Sequence, residues 1–205
     1  MTSYVAEIAE QPALQQPPAA LSKDDVIRIW TAIADQRYPV YLSAQDFENP
    51  SAQGRRKPVM LLDRSTPTCA GGRAQQVCDS NLDQKLLSSA AADAFVSKQA
   101  RQTLLLANTA QVDVRLPDSI YIRTASTAQV DALLVDINWS NFYKAFPGTA
   151  GYLRISVPVP VDSGPRSLVY AEQRCHGRCG TGMLYLLTRA ENGWKITNRL
   201  ELWVT

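Results

Sequence analysis

The chain has 205 residues, with 21 Lys and Arg against 19 Asp and Glu, a formal net charge of +2 and 45% hydrophobic residues. That length suits one domain with a short extension and a proper core, and the near-neutral balance argues against a dedicated nucleic-acid binder. Apolar runs such as Leu104 to Ala107 are far too short to span a bilayer.

Residues Met1 to Leu21 are rich in Ala, Gln and Pro, which predicts a flexible tether ahead of one domain over residues 22–205. Ser22 is a good N-cap with Asp24 and Asp25 in the first turn. Val26, Ile27, Trp30 and Ile33 then fall at helical spacing, so a helix is expected to Arg37, before Pro39. Residues 38–58 read as irregular and carry the basic cluster Arg55-Arg56-Lys57, a solvated loop or a contact surface for an acidic partner. Val59 to Arg64 reads as a strand. The loop from Ser65 to Ser80 holds Cys69, Cys78 and Gly71-Gly72-Arg73, which lacks the Lys-Ser/Thr of a phosphate-binding loop.

A second long helix is expected from about Leu82 to Asn108, capped by Asn81. Val112, Val114 and Leu116 alternate, as do Ile120 and Ile122, predicting one or two strands; Gln129 to Ile137 is ambiguous, with a strand slightly favoured from Leu133. Trp139, Phe142 and Phe146 mark one face of a short helix closed by Pro147-Gly148, with these aromatics in the core. Tyr152 to Val157 is a strand, and Pro158 and Pro160 mark an edge or an exit from the sheet.

Leu168 to Ala171 opens the next strand, and Cys175 to Gly182 must turn the chain, its glycines supplying positive φ. Met183 to Arg189 continues. Asn192-Gly193 suits the centre of a type I′ turn, and Trp194 to Val204 returns with a bulge near Asn198. In a regular final strand Leu202 faces the core and Trp203 the opposite side. The whole reads as α+β: an antiparallel sheet of about five to seven strands with the two longer helices on one face.

The run Trp139-x2-Phe-x3-Phe146-Pro147-x3-Gly151, then Leu168-Val169-Tyr170, Cys-x3-Cys-Gly-x-Gly from Cys175, Gly193-Trp194-Lys195-Ile196 and Trp203-Val204-Thr205 resembles a family of exported bacterial proteins. Its members end in a Cys-Gly-x2-Cys-Gly-x-Gly hairpin and a terminal Trp-Ile-Ser. The resemblance spans roughly residues 80–205 and departs at His176, where the family has Gly. The family has no characterised activity to carry over.

The four cysteines allow three pairings; the short spacings favour Cys69 with Cys78 and Cys175 with Cys179, over zinc or free thiols. Disulfides imply an oxidising compartment, here the periplasm, reached with the export signal removed. Membrane attachment is expected only through an N-terminal lipid anchor whose cysteine is not in this chain. His176, the one histidine, sits inside the Cys175–Cys179 turn. No catalytic residue, metal or cofactor is assigned. The carboxylates Asp24, Asp25, Asp131, Asp136, Glu172, Glu191 and Glu201 stand in no motif. Arg174, His176 and Arg178, with Arg55 and Arg56, are the expected partner contacts. The leading expectation is therefore a non-catalytic periplasmic binding protein, an immunity protein that neutralises a secreted toxin. The alternatives are a small cell-envelope hydrolase using carboxylates and an accessory of an envelope secretion machine.

Both local disulfides can be checked by mass spectrometry of a non-reduced digest, which should link Cys69 to Cys78 and Cys175 to Cys179. Recovery of either pair as free thiols or bound to zinc contradicts the pairing.

Overall fold

The computed structural model describes residues 20–36, 38, 56–68 and 85–205. Arg55, Cys69, Cys78 and nearly all of the expected tether lie outside them, although Leu21 already packs on the core.

The first helix, α1 (Lys23–Ala34), starts as expected. Ser22 Oγ accepts from Asp25 N at 3.1 Å, and the Asp25 carboxylate accepts from Ser22 N at 3.3 Å. This reciprocal box satisfies two of the donors that a helix start leaves open. Ile29, Trp30 and Ile33 form its buried face.

Among the described residues, seven strands make one sheet: β1 (Val59–Leu62), β2 (Ile122–Ala125), β3 (Tyr152–Ile155), β4 (Val159–Val161), β5 (Arg166–His176), β6 (Cys179–Ala190) and β7 (Gly193–Val204). Their order is β2-β1-β3-β5-β6-β7, with β4 added beside β5. The sheet is mostly antiparallel, as the sequence predicts; β1 departs from this and runs parallel to both β2 and β3. Residues 112–116 are not a strand: they join the sheet region at the bridge Arg64–Asp113, where Ser65 N donates to Val112 O and Val114 N to Asp63 O, and Val114 and Leu116 pack in the α1-face core.

Three further groups of helix complete the fold. Residues 85–88 are helical, and α2 (Ala90–Phe95) and α3 (Lys98–Ala107) follow. The expected single helix is thus broken, because Ser89 and Ser97 each turn to cap a new start. Arg101, 1% exposed, ties the pieces: its guanidinium donates to Leu86 O and to the Asp93 carboxylate. Next comes α4 (Thr127–Leu133), and a 3-10 turn (Val135–Ile137) stands where the pattern slightly favours a strand from Leu133. Val130 and Leu134 are four apart and pack on one side, so the helical period prevails. Finally α5 (Trp139–Ala145) buries Trp139 and Phe142.

The helices divide between the two sheet faces instead of sharing one. The α1 face collects Val59, Leu61, Leu153, Ile155, Val169 and Ala171. On the other face α3 packs on Val159, Leu168, Tyr170, Leu184 and Leu186, while α4 and α5 cover Met60, Leu62, Ala125 and Tyr152. Strand β5 is apolar at consecutive positions from Leu168 to Ala171, so both its sides need cover, and one helical layer cannot supply it.

The β6–β7 hairpin also differs in detail. Glu191 and Asn192 are its turn residues, and Gly193, at φ 126°, pairs with Ala190. A register shift between Leu186 and Leu187, opposite Ile196 and Asn198, is the bulge expected near Asn198.

One polar cluster fastens α1 to this hairpin. Asp25, 8% exposed, accepts from Trp194 Nε1 at 3.0 Å and from Arg189 Nη2 at 2.6 Å. The Trp194 bond is the main cause that lowers its pKa from 3.8 to about 2, against the opposing effect of burial. A carboxyl held below its unfolded value stabilises the fold above pH 4 or so, and this contribution fades as pH falls toward 2. Asp25→Ala should cost about 1–3 kcal/mol at neutral pH, since it strands a buried indole N–H, and should flatten the loss of stability between pH 4 and 2. Chemical denaturation of both proteins across that range is the check; parallel pH profiles contradict the assignment.

Candidate functional site

On the face opposite α1, the two helical groups leave a gap. Residues 85–88 with α2 and α3 cover one side, and α4, the 3-10 turn and α5 the other. Between them the sheet forms the floor of a cleft of about 620 Å³.

The floor follows from strand alternation. Leu168 and Tyr170 of β5 lie under α3, and the next residues on the same face are Glu172, Arg174 and His176. Glu172 pairs across the ladder with Arg154 of β3, and Arg174 with Tyr152. The same strand face thus changes from apolar to ionic where the helices part.

Two walls of planar groups rise from this floor. In the first, Trp139 stacks on Tyr152 with centroids 5.9 Å apart and a 7° interplanar angle, and lies tilted by 31° against His176 at 6.3 Å. The Arg154 guanidinium lies 5.7 Å from the Tyr152 ring. In the second, Trp203 carries Arg174 at 4.3 Å and Lys85 at 5.9 Å from its ring centroid. Stacking of this kind is worth roughly 0.5–2 kcal/mol per cation and fixes a long side chain in advance of binding.

Trp203 reaches its place because the final strand is not regular. A second register shift, between Gly182 and Met183, sets Gly182 opposite Trp203 and Met183 opposite Glu201. Leu200 and Leu202 both pack on the α3 core, and Trp203 lies over Gly182 on that same face. The expected opposition of Leu202 and Trp203 is therefore replaced by a bulge that turns both toward one side. A Cβ on Gly182 would collide with Trp203 Nε1 and Cε2. Gly177, Gly180 and Gly182 are not among the positive-φ glycines, so the expected reason for them is corrected: Gly182 is there to make room. Positive φ is needed instead at Gly151, at 88°, where a side chain would strike Arg174 O.

The indole is then held by a hydrogen-bonded chain. Trp203 Nε1 donates to Tyr170 Oη at 2.9 Å, and Tyr170 Oη donates to Glu172 Oε2 at 3.3 Å. Glu172 is 5% exposed. Burial, then the nearby negative charge of Glu172, raises the Tyr152 pKa, so its phenol stays protonated at neutral pH.

Charge in the cleft is uneven. Arg154 Nη2 meets Asp131 at 2.9 Å at the rim, and its buried Nε has no hydrogen-bond partner among the described residues. Lys85 and Arg174 have no carboxylate partner among the described residues. Among the described residues, the acidic side chains facing these three cations are the buried Glu172 and, from the rim, Asp131.

The turn at one end is covalently fixed. Cys175 and Cys179 form a disulfide, and Tyr143 Oη donates to Cys175 O at 2.5 Å, which joins the turn to α5. Beside it Asp136 and Ile137 hold φ of 57° and 58°. A β-branched residue in this left-handed region is an outlier, costing on the order of 1–3 kcal/mol. The strained turn holds Ile137 72% exposed at the cleft rim.

Of the residues expected to contact a partner, Arg174 and His176 meet in the cleft, and Arg178 lies next to it on the exposed turn. Arg56 is elsewhere: it donates to Asp35 O at 2.7 Å and Oδ1 at 2.9 Å beyond α1 and stacks on Tyr121 at 3.7 Å. The sequence reading missed Lys85, Arg154 and the role of Tyr152. A second depression of about 650 Å³ runs between the end of α1 and β7, past Asp35, Lys195 and Arg199. It is a shallow groove without converging aromatics or a buried ionic floor.

Among the described residues, no three His, Cys, Asp or Glu side chains gather as a metal site, and no helix is long and apolar enough to cross a membrane. Comparisons with protein families, curated proteins and solved structures find no match for this chain.

Gly182→Ala should displace the Trp203 ring and break its bond to Tyr170, at a cost of about 1–3 kcal/mol. The melting temperature should fall and the indole emission shift to the red. Unchanged melting and emission contradict the packing role of Gly182.

Proposed function

We propose that the chain is a non-catalytic binding protein whose cleft engages a protein partner. The observation that carries this reading is the pair of walls in which Arg174, Lys85 and Arg154 are stacked on aromatic rings over a rigid sheet. Cations placed in advance lose little entropy on binding, and Trp, Tyr and Arg are the residue types that dominate protein interfaces. The Cys175–Cys179 bond, which holds one end of the cleft, supports work in an oxidising compartment such as the periplasm. Together with the resemblance to exported bacterial proteins, this favours an immunity protein that blocks a toxic effector.

A second reading is favoured by one observation: the buried Glu172 and His176 line the same cleft. A carboxyl and an imidazole facing a common space are the groups of an acid–base hydrolase of the cell envelope.

The two readings separate by experiment. Purified full-length protein should capture a specific protein from periplasmic extract, and Arg174→Ala should weaken that capture while melting normally. Glu172→Gln should leave the protein without any lost turnover. Hydrolysis of an envelope polymer by the wild type that disappears in Glu172→Gln overturns the binding reading.

A further inference from the structure

We infer that the cleft takes an acidic peptide segment of the partner, with a carboxylate set between Arg174 and Lys85 and an adjacent apolar side chain against the Ile137 rim. The inference rests on the partner-binding reading above and adds the chemistry of the bound segment.

The carboxylate position follows from charge. Arg174 and Lys85 are held on one indole, 4.3 and 5.9 Å from its centroid, and neither has a carboxylate partner among the described residues. Glu172 offsets part of this field from below, and Asp131 holds Arg154 at the rim. Among the described residues the surplus cation is thus on the Trp203 wall. Both cations line the same cleft, so an anion there meets two positive charges, and a guanidinium gives the paired N–H edge that a carboxylate fits.

The apolar position follows from the rim. Ile137 is 72% and Val204 67% exposed, and both line the cleft. Two exposed branched residues flanking a cationic floor suit a peptide side chain better than the hydroxyls of a saccharide, which need amide and carboxylate acceptors. The backbone cost of holding Ile137 at φ 58° fits a residue kept for contact, since strain concentrates at functional segments.

The test uses the full chain and defined probes, with tryptophan fluorescence and calorimetry as readouts. The probes are acetylated, amidated Glu-Phe-Glu-Leu-Glu, its counterpart with glutamine at every glutamate, and tri-galacturonate as an anionic saccharide. The acidic peptide should bind saturably. The glutamine peptide should bind about tenfold more weakly or worse, as expected for loss of charge-assisted bonds. Arg174→Gln and Lys85→Gln should each reduce affinity for the acidic peptide several-fold. Ile137→Asn suits a left-handed backbone, so it should weaken peptide binding while the protein melts at the same temperature or higher. Equal binding of the glutamine peptide, preference for tri-galacturonate, or no saturable binding of the acidic peptide up to millimolar concentration each overturns the inference. A partner captured equally well by wild type, Arg174→Gln and Lys85→Gln also overturns it and leaves partner binding standing, whereas capture of no partner sinks the binding reading itself.

Discussion

Strand β5 must be covered on both faces, and the rest of the molecule is arranged around that requirement. Its residues Leu168 to Ala171 are all fully or nearly fully buried, with Val169 and Ala171 under α1 and Leu168 and Tyr170 under α3. A sheet strand can be apolar on both sides only if helices lie above and below it. The parallel pairing of β1 with β2 and β3 supplies one of these covers, because the long connections between these strands carry the helices of the face opposite α1. Asp25 then fixes α1 to the β6–β7 hairpin, and Arg101 fixes the pieces of the opposite layer to one another.

The cleft exists because that cover stops short. Where β5 passes beyond α3 its face turns from Tyr170 to Glu172, Arg174 and His176, and the neighbouring strand contributes Tyr152 and Arg154. Ionic groups over a sheet cost desolvation unless they are supported. Here the support is aromatic and hydrogen-bonded: Trp203 and Tyr152 underlie the cations, and the Trp203–Tyr170–Glu172 chain sets the indole. Gly182 is the residue that makes this geometry possible, because the indole occupies the space a side chain would take.

Much of this was legible in the residues themselves. The capping of α1 at Ser22, the hairpin of β6 and β7, the bulge near Asn198, the Cys175–Cys179 pair and the α+β class all follow from local patterns. The helix at Thr127–Leu133 escaped because Val130, Leu133 and Leu134 are few apolar markers, and the β-branched Val135 and Ile137 that follow favour a strand. The sharing of helices between two faces was hidden for a different reason. Only the run of consecutive apolar residues in β5 signalled it, and that run looks like any short β-prone stretch. Part of the site was visible: Arg174 and His176 stand two apart on one strand. Lys85 and Arg154 come to them through tertiary packing, and the bulge that brings Trp203 over Gly182 interrupts the alternation from which its side was read.

The partner is proposed to meet the face bearing this cleft, and not the α1 face. Hydrogen–deuterium exchange on the protein with and without its captured partner tests this most directly. The account predicts slowed exchange at residues 134–139, 174–179 and 203–205, with residues 23–36 and 195–199 unchanged. Protection confined to 23–36 and 195–199, along the groove between α1 and β7, would contradict it.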